Sequence, residues 1–132
     1  MNKPLISVKD LSVDYITDNA PIKAVRNVSF KIFRGEIFGI VGESGSGKST
    51  IIQAMMRILP PPALISEGKV FIDGKNIMEA SEQDIIGFRW KQISIVMQSA
   101  LNALNPVLSV REQIFDVLNT HKGLIGKEAD NR

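Results

Sequence analysis

Cysteine is absent from the 132 residues, which excludes disulfides and thiolate metal sites. There is one histidine, His121, so a histidine-based metal cluster is excluded as well. No window approaches 18 consecutive apolar residues, the length a membrane-spanning helix needs. Asp10, Asp14 and Asp18 interrupt any apolar run near the start, which argues against a secretory leader. An excess of one charge is lacking too. Sixteen Lys and Arg against 14 Asp and Glu leave a net charge of +2, and the basic residues are scattered, so no nucleic-acid partner is expected. Low complexity is confined to Pro60-Pro61-Pro62. What is present suits one soluble, cytoplasmic domain: the length is ordinary, and 44% hydrophobic content is enough for a core.

The stretch with the most chemistry is Gly42-Glu43-Ser44-Gly45-Ser46-Gly47-Lys48-Ser49-Thr50. It fits G-x-x-x-x-G-K-[ST], the phosphate-binding P-loop. Gly42, Gly45 and Gly47 allow a tight backbone curl, and the inward amides form a nest for phosphate oxygens. Lys48 adds a point charge at the β- and γ-phosphates, and the Ser49 hydroxyl suits Mg²⁺. A helix starting near Lys48 aims its positive dipole end at the same place. The flanks agree: Glu36 to Val41 reads as a short apolar strand, and Ile51 to Leu59 as a helix. The bland alternative, a flexible Gly/Ser turn, fits these flanks poorly.

Along the chain, residues 5–16 read as extended. Ile6 and Val8 alternate, then Leu11, Val13 and Tyr15 alternate in the opposite phase, so a bulge or turn falls at Lys9-Asp10. Thr17 to Pro21 is a turn cluster. Val28, Phe30 and Ile32 mark a half-buried strand. The helix after the loop is apolar nearly all round, hence buried, and the three prolines stop it. Ala63 to Glu67 reads as a loop, and Gly68 to Ile77 as two strands joined at Asp73-Gly74. Val70-Phe71-Ile72-Asp73 has the form of a metal-binding Walker B strand, but Gly74 and a resuming strand favour the turn, so Asp73 is not assigned to metal. Ser81-Glu82-Gln83-Asp84 and Ser109-Val110-Arg111-Glu112 are capping boxes. They start helices reaching about Phe88 and about Thr120, the second with Val110, Ile114, Val117 and Leu118 on one face. Trp90 reads as a packing anchor, Ile93 to Met97 as a buried strand ending at Gln98, and residues 99–108 as a loop.

This order of parts resembles the N-terminal portion of an ABC transporter ATPase, most closely the ATP-binding subunits of dipeptide/oligopeptide (and nickel) importers. Leu11 to Tyr15 is similar to the family's A-loop strand, whose aromatic residue stacks on adenine. Ala24 to Phe30 resembles the strand that follows, and Gly42 to Thr50 its Walker A. Gly68 to Ile77 resembles its Asp-Gly hairpin, Ile95 to Gln98 its Q-loop, and Leu104-Asn105-Pro106-Val107-Leu108 a segment typical of the peptide group. Arg89-Trp90-Lys91 departs from the Arg-Gly common there. The resemblance implies an α/β P-loop NTPase fold: an antiparallel β subdomain plus part of the parallel RecA-like core. It implies ATP and Mg²⁺ as cofactors. Tyr15, Gly42, Ser44, Gly45, Ser46, Gly47, Lys48, Ser49 and Thr50 would bind nucleotide, Ser49 and Gln98 the metal, and Lys48 and Gln98 would serve catalysis. For Tyr15 the bland alternative is a core aromatic, for Gln98 a polar strand end. His121 matches no family position and reads as a solvated helix-end residue.

The family continues with a signature, a Walker B aspartate, a catalytic glutamate and a switch histidine. These 132 residues hold no apolar run closing on Asp-Glu and no Ser-Gly-Gly. The expectation is therefore a partial nucleotide-binding domain that binds ATP without turning it over. Its parent would pair with a second ATP-binding subunit and with transmembrane permease subunits through the loop after Gln98, peripherally at the inner face of the cell membrane. A parallel core without its later strands leaves edges exposed, so self-association is expected. The alternatives are a non-catalytic nucleotide-binding or interaction fragment, or another P-loop NTPase such as a small kinase, for which no lid segment is evident.

Overall fold

The computed structural model describes residues 3–89, 91–96, 98, 104–124, 126 and 128. The chain divides into two compact units, residues 1–80 and 81–132. The first unit is built on a four-stranded antiparallel sheet. Its strands are β1 (Ile6–Tyr15), β2 (Ile22–Ile32), β3 (Ala63–Ile72) and β4 (Lys75–Asn76), in the order β2-β1-β3-β4. Helix α1 (Lys48–Met55) packs on β1 and β2. The core joins Val8, Leu11, Val13, Val25, Val70, Ile72 and Ile77 to Ile51, Ala54 and Met55 of α1.

β1 is paired on both sides, and its bulge sits where the alternation of its apolar residues changes phase. Val8 pairs with Phe30 and Val70, and the register then slips before Leu11 resumes opposite Val28. Asp10 takes up the extra residue at φ 50°, a left-handed conformation that Asp tolerates better than most residues. Both neighbours are shaped to the irregularity. On β2, the Ser29 hydroxyl accepts from the Asp10 N–H at 2.8 Å and donates to Asp10 Oδ1 at 3.0 Å. On β3, Gly68 lies at φ 101°, and a Cβ there would stand 2.6 Å from both the Asp10 carbonyl oxygen and the Leu11 Cα. Only glycine fits that contact.

Asp73 and Gly74 both have positive φ, 49° and 84°, as a two-residue type I′ turn requires. The hairpin reading of this segment is correct. Asp73 spends its carboxylate on Arg34 at 3.2 Å, an exposed pair that contributes little.

Four expectations are corrected in this unit. Residues 63–67 are the first half of β3 rather than a loop, because Leu64 and Ile65 find partners in Asp14 and Val13. α1 ends at Met55 instead of near Leu59. The stop is a Schellman closure: Ile58 N–H donates to Gln53 O and Arg57 N–H to Ala54 O, both at 3.0 Å. Arg57 occupies the left-handed position at φ 51° that glycine usually fills. Its guanidinium donates to the Ile77 and Ala80 carbonyls at 3.2 and 2.7 Å, which offsets the strain of about 1–2 kcal/mol. α1 is also not buried all round, since Ile52 is exposed. Residues 36–41 form no strand, and Ile37 and Val41 are 100% and 96% exposed. An extended segment becomes a strand only beside a ladder partner, and none stands there among the described residues.

In the second unit, α2 (Glu82–Phe88) starts at Ser81, whose side chain accepts from the Asp84 N–H. α3 (Val110–Lys122) starts with a reciprocal capping box between Ser109 and Glu112 and ends at Lys122, two residues beyond the expected Thr120, with Gly123 as its C-cap. Gln113 ties the preceding loop to α3: its Oε1 accepts from the Asn105 N–H at 2.9 Å, and its Nε2 donates to the Asn105 and Leu108 carbonyls at 3.1 Å. The expected strand at 93–97 is also corrected. Ile93 makes a single bridge to Arg89, and Val96 is 90% exposed. Again the described residues supply no ladder. Trp90, Met97 and residues 99–103 lie outside the described residues.

The Ser109 hydroxyl and then the Ser109 N–H donate to the Glu112 carboxylate and lower its pKa from the ordinary value of 4.5. A depressed folded-state pKa means a contribution that is complete above that value and is lost as pH falls through the lowered pKa. Circular dichroism should show Glu112→Ala with less helix than the parent at neutral pH, and the gap should close in acid below the carboxylate range. Gly68→Ala should destabilise the chain by roughly 2 kcal/mol or more in urea unfolding, from left-handed strain and backbone collision together. Gly87→Ala, in an open position of α2, should stabilise by up to about 1 kcal/mol.

Candidate functional site

The loop at 42–47 is positioned mainly by β2. Chain leaving β2 turns at Arg34-Gly35, where the Phe33 N–H donates to Glu36 Oε2 at 2.7 Å. Phe38 then stacks on Phe30 of β2, ring centroids 5.0 Å apart and 13° from parallel. Ser46 N–H closes a turn onto the Glu43 carbonyl at 3.2 Å. Gly47, at φ 89°, presses against β2 so closely that a Cβ would stand 2.6 Å from the Ala24 carbonyl oxygen.

α1 begins at once with Gly47 as its N-cap and no side-chain cap. Its first intrahelical bond runs from Ile51 N–H to Gly47 O, so the amides of Lys48, Ser49 and Thr50 have no intrahelical acceptor. The first turn carries no acidic residue, leaving the positive end of the helix dipole unopposed by its own side chains. The Lys48 ammonium folds back over the loop. It donates to the Gly42 carbonyl at 2.9 Å, to the Glu43 carbonyl, and to Ser46 Oγ at 3.2 Å.

Facing this loop is the far end of the β1–β2 hairpin, where Tyr15 pairs with Ile22. Tyr15, Ile22, Lys23, Ala24 and residues 45–50 line one pocket of about 500 Å³. An aromatic side chain, the three backbone amides that open α1 and two lysines thus border one hollow. Such a hollow can take a ligand with a flat ring at one end and a compact anion at the other.

Tyr15, Gly45, Ser46, Gly47, Lys48, Ser49 and Thr50 therefore share one wall of space. Gly42 stands behind it, holding Lys48 through its carbonyl. Ser44 is exposed and outside the lining, and Gln98 is exposed in the second unit. Ile22, Lys23 and Ala24 were not foreseen as site residues. Their signal was the six-residue turn from Ile16 to Pro21, which brings the start of β2 back beside Tyr15. No group of three His, Cys, Asp or Glu able to hold a metal exists among the described residues. The exposed Ser49 hydroxyl beside the amides suits an ion such as Mg²⁺, which takes few protein ligands and completes its shell with phosphates and water.

Residues 25–132 match the family described as ABC transporter. Over 126 residues the chain is 40% identical to the oligopeptide transport ATP-binding protein OppD of Bacillus subtilis, covering 95% of this chain and 35% of that protein. It is 39% identical over 126 residues to the dipeptide transport ATP-binding protein DppD of the same organism, covering 95% and 38%. The chain thus spans a little over a third of the length of these curated relatives. A dimeric bacterial ABC transporter cassette superposes with a TM-score of 0.76 at 27% identity, covering 93% of this chain and 51% of that one. The same cassette in a post-hydrolysis state bound to ADP and phosphate matches equally well.

Gly47→Ala should cost about 1–3 kcal/mol of stability, because strain and the Ala24 carbonyl act together. Gly45→Ala, at φ 79° with open space around it, should cost no more than about 1 kcal/mol. Paired urea titrations measure the difference.

Proposed function

This chain belongs to the ABC transporter family, and we propose that it forms the nucleotide-gripping part of the energising subunit of a peptide importer. The observation that carries the proposal is the single pocket shared by the Tyr15 ring and the amides and ammonium of residues 45–50. Tyr15 stacks on adenine. The amides at the start of α1 hold the phosphate oxygens, and Lys48 exchanges its own loop's carbonyls for the β- and γ-phosphates. Gly42 and Ser44 support the loop's curl from behind. The transport names of OppD and DppD support peptides as the cargo of the parent.

Ser49 would hold Mg²⁺, and the family resemblance gives Gln98, in the second unit, the Q-loop role of a metal ligand in the parent. An ion held there would supply charge neutralisation for the phosphates. Gln98 cannot titrate, so it orients rather than transfers protons. Residues 1–132 constitute a partial nucleotide-binding domain with A-loop, Walker A and Q-loop. They hold no apolar run closing on Asp-Glu to orient an attacking water. Binding is therefore assigned to these residues, and turnover to the parent paired with a second ATP-binding subunit, as the dimeric cassette suggests. No helix among the described residues is long and apolar enough to cross a membrane. That fits a subunit held at the inner face by permease partners, through the loop after Gln98.

Titration of the chain with a fluorescent ATP analogue and Mg²⁺ should saturate, with no sustained phosphate release. Tyr15→Ala should weaken binding by about 1–3 kcal/mol, the cost of one lost stack, and Tyr15→Phe should restore it. Lys48→Ala should weaken binding at least tenfold. Hydrolysis abolished by Lys48→Ala would overturn the assignment of turnover to the parent. Folded chain with no saturable binding would overturn the proposal.

A further inference from the structure

Ahead of the bulge, β1 points Val8 into the core and Ser7 and Lys9 to the opposite face. On that face Lys9 stands directly across from Lys69, while Ser7 stands across from Lys31 on one side and Phe71 on the other. Lys3 reaches in from the preceding segment and donates to the Asp73 carbonyl at 3.2 Å. Lys3, Ser7, Lys9, Lys31, Phe71 and Gly74 line a hollow of about 260 Å³, half the volume of the nucleotide pocket.

Three features mark this hollow. Like charges directly opposed across a ladder destabilise it, yet among the described residues no carboxylate comes within ion-pair distance of Lys3, Lys9, Lys31 or Lys69. The nearby Asp73 carboxylate is occupied by Arg34. Ser7 is only 7% exposed and lines the hollow, and its hydroxyl makes no hydrogen bond to another of the described residues. The Lys9 ammonium is held over the Phe71 ring, 5.1 Å from its centroid, which fixes a cation at the rim.

We propose that this hollow is a second anion site, distinct from the nucleotide pocket, and that it takes a compact phosphate-bearing group. Lysine ammoniums are point charges that suit a tetrahedral, multiply charged group, whereas planar carboxylates favour the arginine fork absent here. The volume, about 260 Å³, accommodates a diphosphate or a phospholipid headgroup. The Ser7 hydroxyl donates to the anion at the floor, and the lysines close over it.

Amide NMR of the chain titrated with inorganic pyrophosphate resolves the two sites separately. Saturable shifts are expected at Ser7, Lys9, Lys31 and Phe71, apart from any at residues 42–50. Co-sedimentation with phosphatidylglycerol vesicles, against phosphatidylcholine alone, tests the lipid source. Saturable shifts without sedimentation assign a free phosphate ligand. Sedimentation lost in the lysine variant assigns a headgroup. The variant Lys9→Gln, Lys31→Gln and Lys69→Gln should weaken binding of the active probe at least tenfold, leave binding of the ATP analogue within twofold, and raise the thermal midpoint by relieving repulsion. Ser7→Ala should weaken the same probe about threefold to tenfold. Removing equal charge elsewhere, by Lys75→Gln, Lys91→Gln and Lys122→Gln, should change it less than twofold. No response to either probe, or equal losses in both triple variants, would overturn the proposal.

Discussion

The structure of the first unit depends on one extra residue in its central strand. Ser7, Lys9, Leu11, Val13 and Tyr15 are all odd positions, and an unbroken strand would show them on one face. With Asp10 bulged at φ 50°, Ser7 and Lys9 stay opposite the core while Leu11 and Val13 enter it, both fully buried. Tyr15 follows their phase to the side where the loop and α1 lie. The alternative register would bury Asp10, Ser12 and Asp14, several kcal/mol of unpaired polar burial. The hydrophobic effect thus selects the bulge, and the bulge selects which residues meet at the candidate pocket.

The loop is held less by its own turns than by contact with β2. Phe38 on Phe30 sets its approach, and Gly47 against Ala24 sets its exit into α1. The loop's carbonyls meanwhile occupy Lys48. A lysine already ordered by its own loop loses less side-chain freedom when it turns to an anion, although it must give up those carbonyls to do so.

Much of this was legible in the sequence because the determinants are local. Glycine spacing marks the loop, a phase change marks the bulge, Asp73-Gly74 marks the turn, and Ser-x-x-Glu marks the start of α3. The segments at 36–41 and 93–97 were misread because an apolar run specifies willingness to pair, not the presence of a partner. The end of α1 was missed because Arg57 takes a position normally announced by glycine. Lys23 escaped because cross-strand neighbours come from the hairpin's register. The lysine cluster around Ser7 escaped for the same reason: its members are spread from residue 3 to residue 69 and meet only in the folded sheet.

Gly68 and Asp10 touch across two strands although 58 positions separate them, and each makes sense only with the other. A side chain introduced at 68 escapes the collision once the kink at 10 is gone, although its left-handed φ still favours glycine. The two sites should therefore drift together or not at all in the lineage. An aromatic grafted onto this strand to face a ligand must be counted from Leu11, since counting from Ile6 would turn it to the wrong side.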